Sequence, residues 1–395
     1  MSSSTTTGLS GRLILLFAIT AGASVGNLYW SQPLLALIAQ SFGMPTHETG
    51  LVVTFTQVGY ALGVFLIVPL GDVLNRQRLM PSVLLLTAVM LVASGLAPNF
   101  WSLLVVSLLL GICTVGGQII TPLAGDLAAD HQRGKVLGLV VSGLVLGILI
   151  ARALSGIIAD FLGWHSVFFI AALLMVILAF LLSRALPPLP PKETLSYGAL
   201  LRSVIELPMS DARIPRCMFL GALPMGTFML FWTGLTFLLS EAPYSYSAGQ
   251  IGLIGLLSVS GVLVSLGIGI LYDKGLARPT ILVGILLTLL SMGASGIWYS
   301  SIWVIGLVIV VFSIGMQVTL VLVQTCMLSI NPVARSRLNT LFGVSNFIVG
   351  AMGSGAAGLF WGWRGWSGLA IIGVILLTLT IVVWFIDGKS QHQIR

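Results

Sequence analysis

Along the chain, apolar runs of 18 residues or more alternate with short breaks of Gly, Pro, Asn or charge. A helix rising about 1.5 Å per residue crosses a hydrocarbon layer of about 30 Å with roughly 20 residues, so each run is long enough to span a bilayer. The pattern predicts twelve spans, near residues 13–38, 49–70, 79–97, 100–122, 136–159, 165–186, 216–239, 249–271, 279–297, 301–328, 338–360 and 365–386. A closed β-barrel would instead show short strands alternating polar and apolar positions, and these runs do not alternate. The expected fold class is all-α integral membrane.

The longest link, "RALPPLPPKETLSYGALLRSVIELPMSDARIPR", divides the spans six and six. Its prolines stiffen its start, and two readings of the rest stay open: a short helix on the membrane surface with Leu200, Leu201, Val204 and Ile205 on one face, or a simple covalent tether. The two sides of this link repeat each other. Gly50, Gly59 and Asp72 match Gly252, Gly261 and Asp273; "RGK" ending at Lys135 matches "RSR" ending at Arg337; and "GWH" at Gly163 matches "GWR" at Gly362. Offsets of 199 to 202 in five places imply an internal duplication. The expected organisation is a six-helix bundle over 1–186, a central link over 187–215 and a second bundle over 216–395. The two pseudo-symmetric bundles would surround a central cavity.

Composition changes this picture little. Of 395 residues 57% are hydrophobic and 7% charged, with a mean hydropathy of +1.09, against about 25% charged in ordinary soluble domains. The net charge of +7 does not read as a nucleic-acid surface, because the basic residues sit in short links. Sixteen of the eighteen fall on one side if the N-terminus is cytoplasmic, the exceptions being Arg364 outside and Arg152 within a span. Both termini are therefore expected in the cytoplasm. Cys113, Cys217 and Cys326 lie in or at the start of apolar runs without metal-ligand spacing and read as small core hydrophobes. "HETGL" at His47 lacks the second histidine of a zinc-protease motif, and "GKS" at Gly388 has Val383 where a phosphate loop needs glycine. No catalytic residue, cofactor or metal site is expected.

The repeat, the twelve-span topology and two loops carry a resemblance. "VPLGDVLNRQR" and its echo "GILYDKG" are similar to the loop signature G-x-x-x-D-R-x-G-R of the major facilitator superfamily, with Val68 and Asn75 replacing glycines and Asp72 and Arg76 kept. The resemblance covers essentially the whole chain. It implies a monomeric secondary transporter in a bacterial inner membrane, moving a small organic solute by rocking one bundle against the other. It also implies a cytoplasmic gate of Asp72, Arg76 and Asp126, echoed by Asp273. The helix 5 motif of drug–proton antiporters is altered here, with Arg152 for proline and Ser155 for glycine along Gly147, Ala151, Arg152, Ser155 and Gly156. The helix 4 arginine of that group is replaced by Ser107. Export by proton antiport is the first expectation and uptake or uncoupled passage the alternative, with Asp126 and Asp160 as candidate proton sites.

Arg152 is the most unusual residue. An arginine in a span costs at least about 2.5–3.5 kcal/mol and usually faces protein or water. None of the eleven acids is placed mid-span by the pattern. Arg152 lies eight residues before Asp160, about 12 Å from the outer end of its helix. Three readings stay open: it snorkels outward, it is a structural hydrogen-bond hub, or it binds an anionic group of the solute. Further cavity candidates are Asn27, Trp30, Ser31 and Gln32 in helix 1, where Pro33 kinks the helix, together with Gln57 and Tyr60 in helix 2. Gln118 and Gln317 occupy matching places in the two halves, as do Trp30 and Ser31 with Trp232 and Thr233; Asn346 completes the set.

Overall fold

The computed structural model describes residues 9–129, 131–187, 196–331 and 334–392, without the side chains of residues 266 and 388–392. The proline-rich start of the central link lies outside the described residues. All regular elements among them are helices.

Crossing 1 is α1 (Gly11–Gly26) and α2 (Leu35–Phe42), joined through a 3₁₀ turn at Gln32–Leu34. The break expected at Pro33 is present, and it is wide because residues 27–31 also leave the helix. Crossing 2 is α3 (Gly50–Leu66), followed by the single turn α4 (Leu70–Val73), and crossing 3 is α5 (Arg76–Gly95). Crossing 4 is α6 (Phe100–Cys113) and α7 (Gly116–Leu127). Its break at Thr114 is held by side chains: the Thr114 hydroxyl donates to the Ser24 carbonyl at 2.8 Å and accepts from Asn27 Nδ2 at 3.0 Å. Crossings 5 and 6 are α8 (Arg133–Leu162) and α9 (Trp164–Ala185).

The link helix α10 (Tyr197–Ser210) starts at Ser196, whose hydroxyl caps the Ala199 amide. It buries Leu200, Val204 and Leu207 against the protein and leaves Ile205 exposed, so two of the four residues expected on a membrane-facing stripe face the protein instead. The reason is that α10 packs on the second half, while the Tyr197 hydroxyl donates to the Leu66 carbonyl at 2.6 Å. The second half follows as α11 (Arg213–Ser240), α12 (Ala248–Ile254) with α13 (Val259–Asp273), α14 (Ala277–Trp298), α15 (Ile302–Ile330) and α16 (Arg335–His392). The last is two crossings joined at a kink where Arg364 and Gly365 leave helical geometry. Counting it twice and adding the broken crossing 1 to the other nine long apolar helices gives twelve.

The internal repeat is visible in the packing. Crossing 1 meets crossing 5 where Gly22 lies on Gly147, and crossing 7 meets crossing 11 where Gly226 lies on Gly353, each pair with backbones too close for a Cβ. The two six-helix bundles join through α3 with α16 and α8 with α12. We call the end bearing Ser10 and the central link the terminus side, and the other, bearing the turns at Gly43, Gly163 and residues 241–247, the far end. The α8–α12 contact runs from Arg152 toward the far end.

Candidate functional site

Arg152 sits two-thirds along α8 and is 3% exposed, so it does not snorkel. Its backbone is pressed against α12: a Cβ at Gly252 would overlap the Arg152 carbonyl oxygen, and one at Gly156 would overlap the Ala248 carbonyl. That close approach, possible only with glycines, aims the side chain along the seam between the halves. Nε donates to Gln32 Oε1 at 2.9 Å. The guanidinium carbon lies 4.2 Å from the Trp232 ring centroid, 4.9 Å from Tyr29 and 5.7 Å from Phe228. Contacts of a cation with aromatic faces stabilise by about 0.5–2 kcal/mol each, a partial offset to the loss of water. Nη2 is buried and has no hydrogen-bond partner.

On the terminus side of Arg152 is a cavity of about 160 Å³ lined from both halves, including Tyr29 and Leu149 from one and Phe228, Ser313 and Gln317 from the other. On its far-end side only a void of about 10 Å³ remains, lined by Gln32, Trp232 and Gly252. Arg152, Gln32 and Trp232 thus form a septum that closes the cavity toward the far end. Trp232 Nε1 and Ser313 Oγ are also buried without partners. Buried polar atoms are nearly always paired in folded proteins, so this concentration around one cavity marks a place built to receive a polar group.

Farther toward the far end Asp160 Oδ2 accepts from the Ser247 hydroxyl at 2.6 Å and from the Gly249 amide at 3.0 Å. One carboxylate of the first half therefore caps the first turn of α12 in the second. At the terminus side Arg76 Nη1 donates to Asp126 Oδ2 at 2.7 Å, with Arg76 almost fully buried. Both residues belong to the first half. Asp72 stands four residues before Arg76 on α4, and Asp273 is exposed at the end of α13 with no ion-pair partner among the described residues.

The other candidates divide into two groups. Gln317 lines the Arg152 cavity, while Gln32 and Trp232 join Arg152 in the septum that closes it. Asn27 is fully engaged, accepting from Trp30 Nε1 at 2.8 Å while donating to Thr114, and Trp30 lines a lipid-facing groove between α1 and α8. Ser31 is buried beside the 3₁₀ turn. Thr233 shares a hydrogen bond of 3.2 Å with Ser354, and Ser354 donates to the Gly50 carbonyl, tying α11, α16 and α3. Gln118 lies near the Tyr60 hydroxyl, and the Tyr60 ring stands edge-on to Phe347 across the halves at 4.5 Å. Gln57 is buried with both amide atoms unpaired, and Asn346 Oδ1 is likewise unpaired beside Gly221. Sequence reasoning missed Tyr29 and Phe228. Phe228 is four residues before Trp232 and shares its helix face, a signal the sequence contains; Tyr29 faces Arg152 only because crossing 1 unwinds there.

Comparison with known proteins agrees with this architecture. The uncharacterized transporter YgaY of Escherichia coli O157:H7 is 38% identical over 386 residues, 97% of this chain and 98% of its own. Among solved structures, a bacterial homologue of the human lysosomal transporter Spinster, in an inward-facing and occupied conformation, superposes with a TM-score of 0.75 at 14% identity, covering 96% of each chain. The human organic anion transporter MFSD10 superposes with a TM-score of 0.69 at 18% identity, covering 96% of this chain and all of that one. A family model described as Major Facilitator Superfamily matches residues 14–332. With twelve crossings in two repeated bundles and a cavity on their seam, this multi-pass membrane protein belongs to the Major Facilitator Superfamily of transporters.

Proposed function

We propose that this transporter moves a small organic solute bearing a negative charge, and that Arg152 is its anchor. The observation that carries the reading is the buried, unpartnered Nη2 of Arg152 beside a cavity shared by both halves. An uncompensated buried cation is costly, and an anionic group on the solute supplies what aromatic faces and one amide do not. Asp126 and Asp160 are engaged elsewhere, so neither carboxylate competes for that position. The cavity's Tyr29, Phe228 and Met316 suit an apolar body attached to the charged group.

The sidedness of the basic links fits a cytoplasmic terminus side, and in this reading the septum shuts the cavity toward the outer face. In a bacterial inner membrane, export in exchange for protons is the direction and coupling that fit this reading. Asp160 is the acidic residue supporting it, because its carboxylate bridges the halves at the outer end through both bonds it accepts.

The test is ligand-linked thermal stabilisation of purified protein against pools of anionic, cationic and neutral solutes. An anionic pool is expected to stabilise the wild type, to lose its effect in Arg152→Gln and to retain part of it in Arg152→Lys. Members of that pool should then show flux in vesicles containing only this protein. Equal stabilisation of wild type and Arg152→Gln by neutral or cationic solutes overturns the reading.

A further inference from the structure

The second half contains a cavity that alternating access between the halves does not use. It has a volume of about 320 Å³ and lies at the terminus side among α11, α14, α15 and α16. Its deeper wall is apolar, with Leu220, Ile281 and Val323, and its mouth carries Arg213, Arg278 and Asp387.

Arg278 is in the first turn of α14. Its guanidinium carbon stands 4.7 Å from the Trp384 ring centroid, and Trp384 Nε1 donates to the Arg278 carbonyl at 3.1 Å, so ring and arginine are held as a unit. Its Nε is buried and has no hydrogen-bond partner. The acids nearby are outnumbered by cations, and Asp387, which lines the same cavity, is shared among Arg216, Arg278 and Arg213. Asp387 lies 3.9 Å from Arg216 Nη1, and Asp211 is held by Arg213 through Nε and Nη2, which leaves Arg213 Nη1 outside that fork. Counting Arg213, Arg216 and Arg278 against Asp211 and Asp387, the mouth is net positive.

Comparison with the first half shows what is missing. Arg76 opens α5 as Arg278 opens α14, one position along, and Arg76 is neutralised by Asp126 on α7. The place of Asp126 on α15 is taken by Thr325 at the offset of 199 that relates Gln118 to Gln317, or by Leu328 at the offset of 202 that relates Arg76 to Arg278, and neither is acidic. The first half fills this position with a carboxylate; the second leaves a guanidinium, an aromatic plate and a cavity.

We propose that this cavity binds a phosphate group, presented by an anionic phospholipid of the surrounding leaflet. A planar guanidinium with free donors matches phosphate oxygens, and a basic recess between membrane helices is suited to an anionic headgroup. The lipid source is argued from the surroundings: Leu276, Phe385 and Ile386, on the elements that form the mouth, are each 45–54% exposed, as expected where helices meet lipid rather than water. The apolar depth of the cavity accepts the glycerol and the first carbons of a chain.

The experiment is thermal unfolding of the full chain in neutral detergent with phosphatidylglycerol, phosphatidylcholine, inorganic phosphate or glycerol phosphate added in turn. Phosphatidylglycerol is expected to raise the Tm saturably by several degrees. The rise should be lost in Arg278→Gln, reduced in Arg213→Gln, partly kept in Arg278→Lys, and unchanged in Arg184→Gln, which removes a cation stacked on Phe180 away from the cavity. The Tm without lipid checks that each variant folds. If inorganic phosphate or glycerol phosphate alone gives the full Arg278-dependent rise, the phosphate site stands and its lipid source is overturned. If phosphatidylcholine equals phosphatidylglycerol, or the rise survives in both Arg278→Gln and Arg213→Gln, the site itself is overturned.

Discussion

Gly252→Ala offers a direct test of the far-end closure. In the structure the added methyl group would overlap the carbonyl oxygen of Arg152, which is backbone and cannot rotate away, so α12 must separate from α8. Overpacking of this kind costs about 1–3 kcal/mol. The intrinsic gain of about 1 kcal/mol from Gly to Ala in a helix applies whether the halves are closed or apart and cancels from the comparison. Only the far-end-closed state carries the clash, so the ratio of closed to open molecules should fall by about 5- to 150-fold. Spin labels at Phe161 and Trp303, 83% and 87% exposed on different halves at the far end, report that change as a distance distribution once the three native cysteines are replaced. The distribution should shift toward longer separations in Gly252→Ala. Gly267→Ala, in the same crossing but with no atom near its added methyl group, should leave it unchanged. A folded Gly252→Ala protein with the wild-type distribution would refute the assignment of the α8–α12 contact to the closed state.

Three further outcomes follow from the charged contacts. Asp160→Asn keeps the shape but weakens two hydrogen bonds to an ionised acceptor, so exchange of the Gly249 amide should accelerate and the same label pair should move apart, in the direction of Gly252→Ala. Arg76→Gln leaves Asp126 without its buried partner and should cost about 3–5 kcal/mol at most, seen as a lowered Tm that Asp126→Asn partly restores in the double variant. In the link, the Arg213 side chain and amide hold the Asp211 carboxyl below its ordinary pKa of 3.8, so this contact stabilises above that value and is lost as pH falls through the lower folded one. Protection of the Arg213 amide should therefore be steady from pH 7 to about 4 and decline only below.

Length and apolarity made the twelve crossings legible, because a bilayer imposes a run length that no other solvent does. The break in crossing 1 was legible in Pro33. The breaks at Thr114 and at Gly255–Ser258 were not, since neither contains proline: the first is fixed by Asn27 and Ser24 from another helix, a tertiary cause. Repeat symmetry paired Gln118 with Gln317, yet the two amides stand in different settings. Gln118 stands near the Tyr60 hydroxyl, whereas the residue at the matching offset from Tyr60 is Val262, which offers no hydroxyl, and Gln317 lines the cavity. Duplication preserves helix positions more strictly than the polar partners between them, and function enters through the partners that differ.

Arg152 joins two parts of the mechanism in one residue. Its carbonyl oxygen lies against Gly252 in the contact that shuts the far end, while its guanidinium faces the cavity with a donor to spare. A solute anion that draws Nη2 toward the cavity pulls on the same side chain whose Nε holds Gln32, the residue before the Pro33 break. Under the proposed reading, occupancy of the cavity therefore acts on the 3₁₀ turn of crossing 1 and on the α8–α12 seam at once. Such a connection requires an arginine in mid-helix without a carboxylate partner: a permanent ion pair at that position would stabilise the septum equally with and without solute, and binding would then shift nothing.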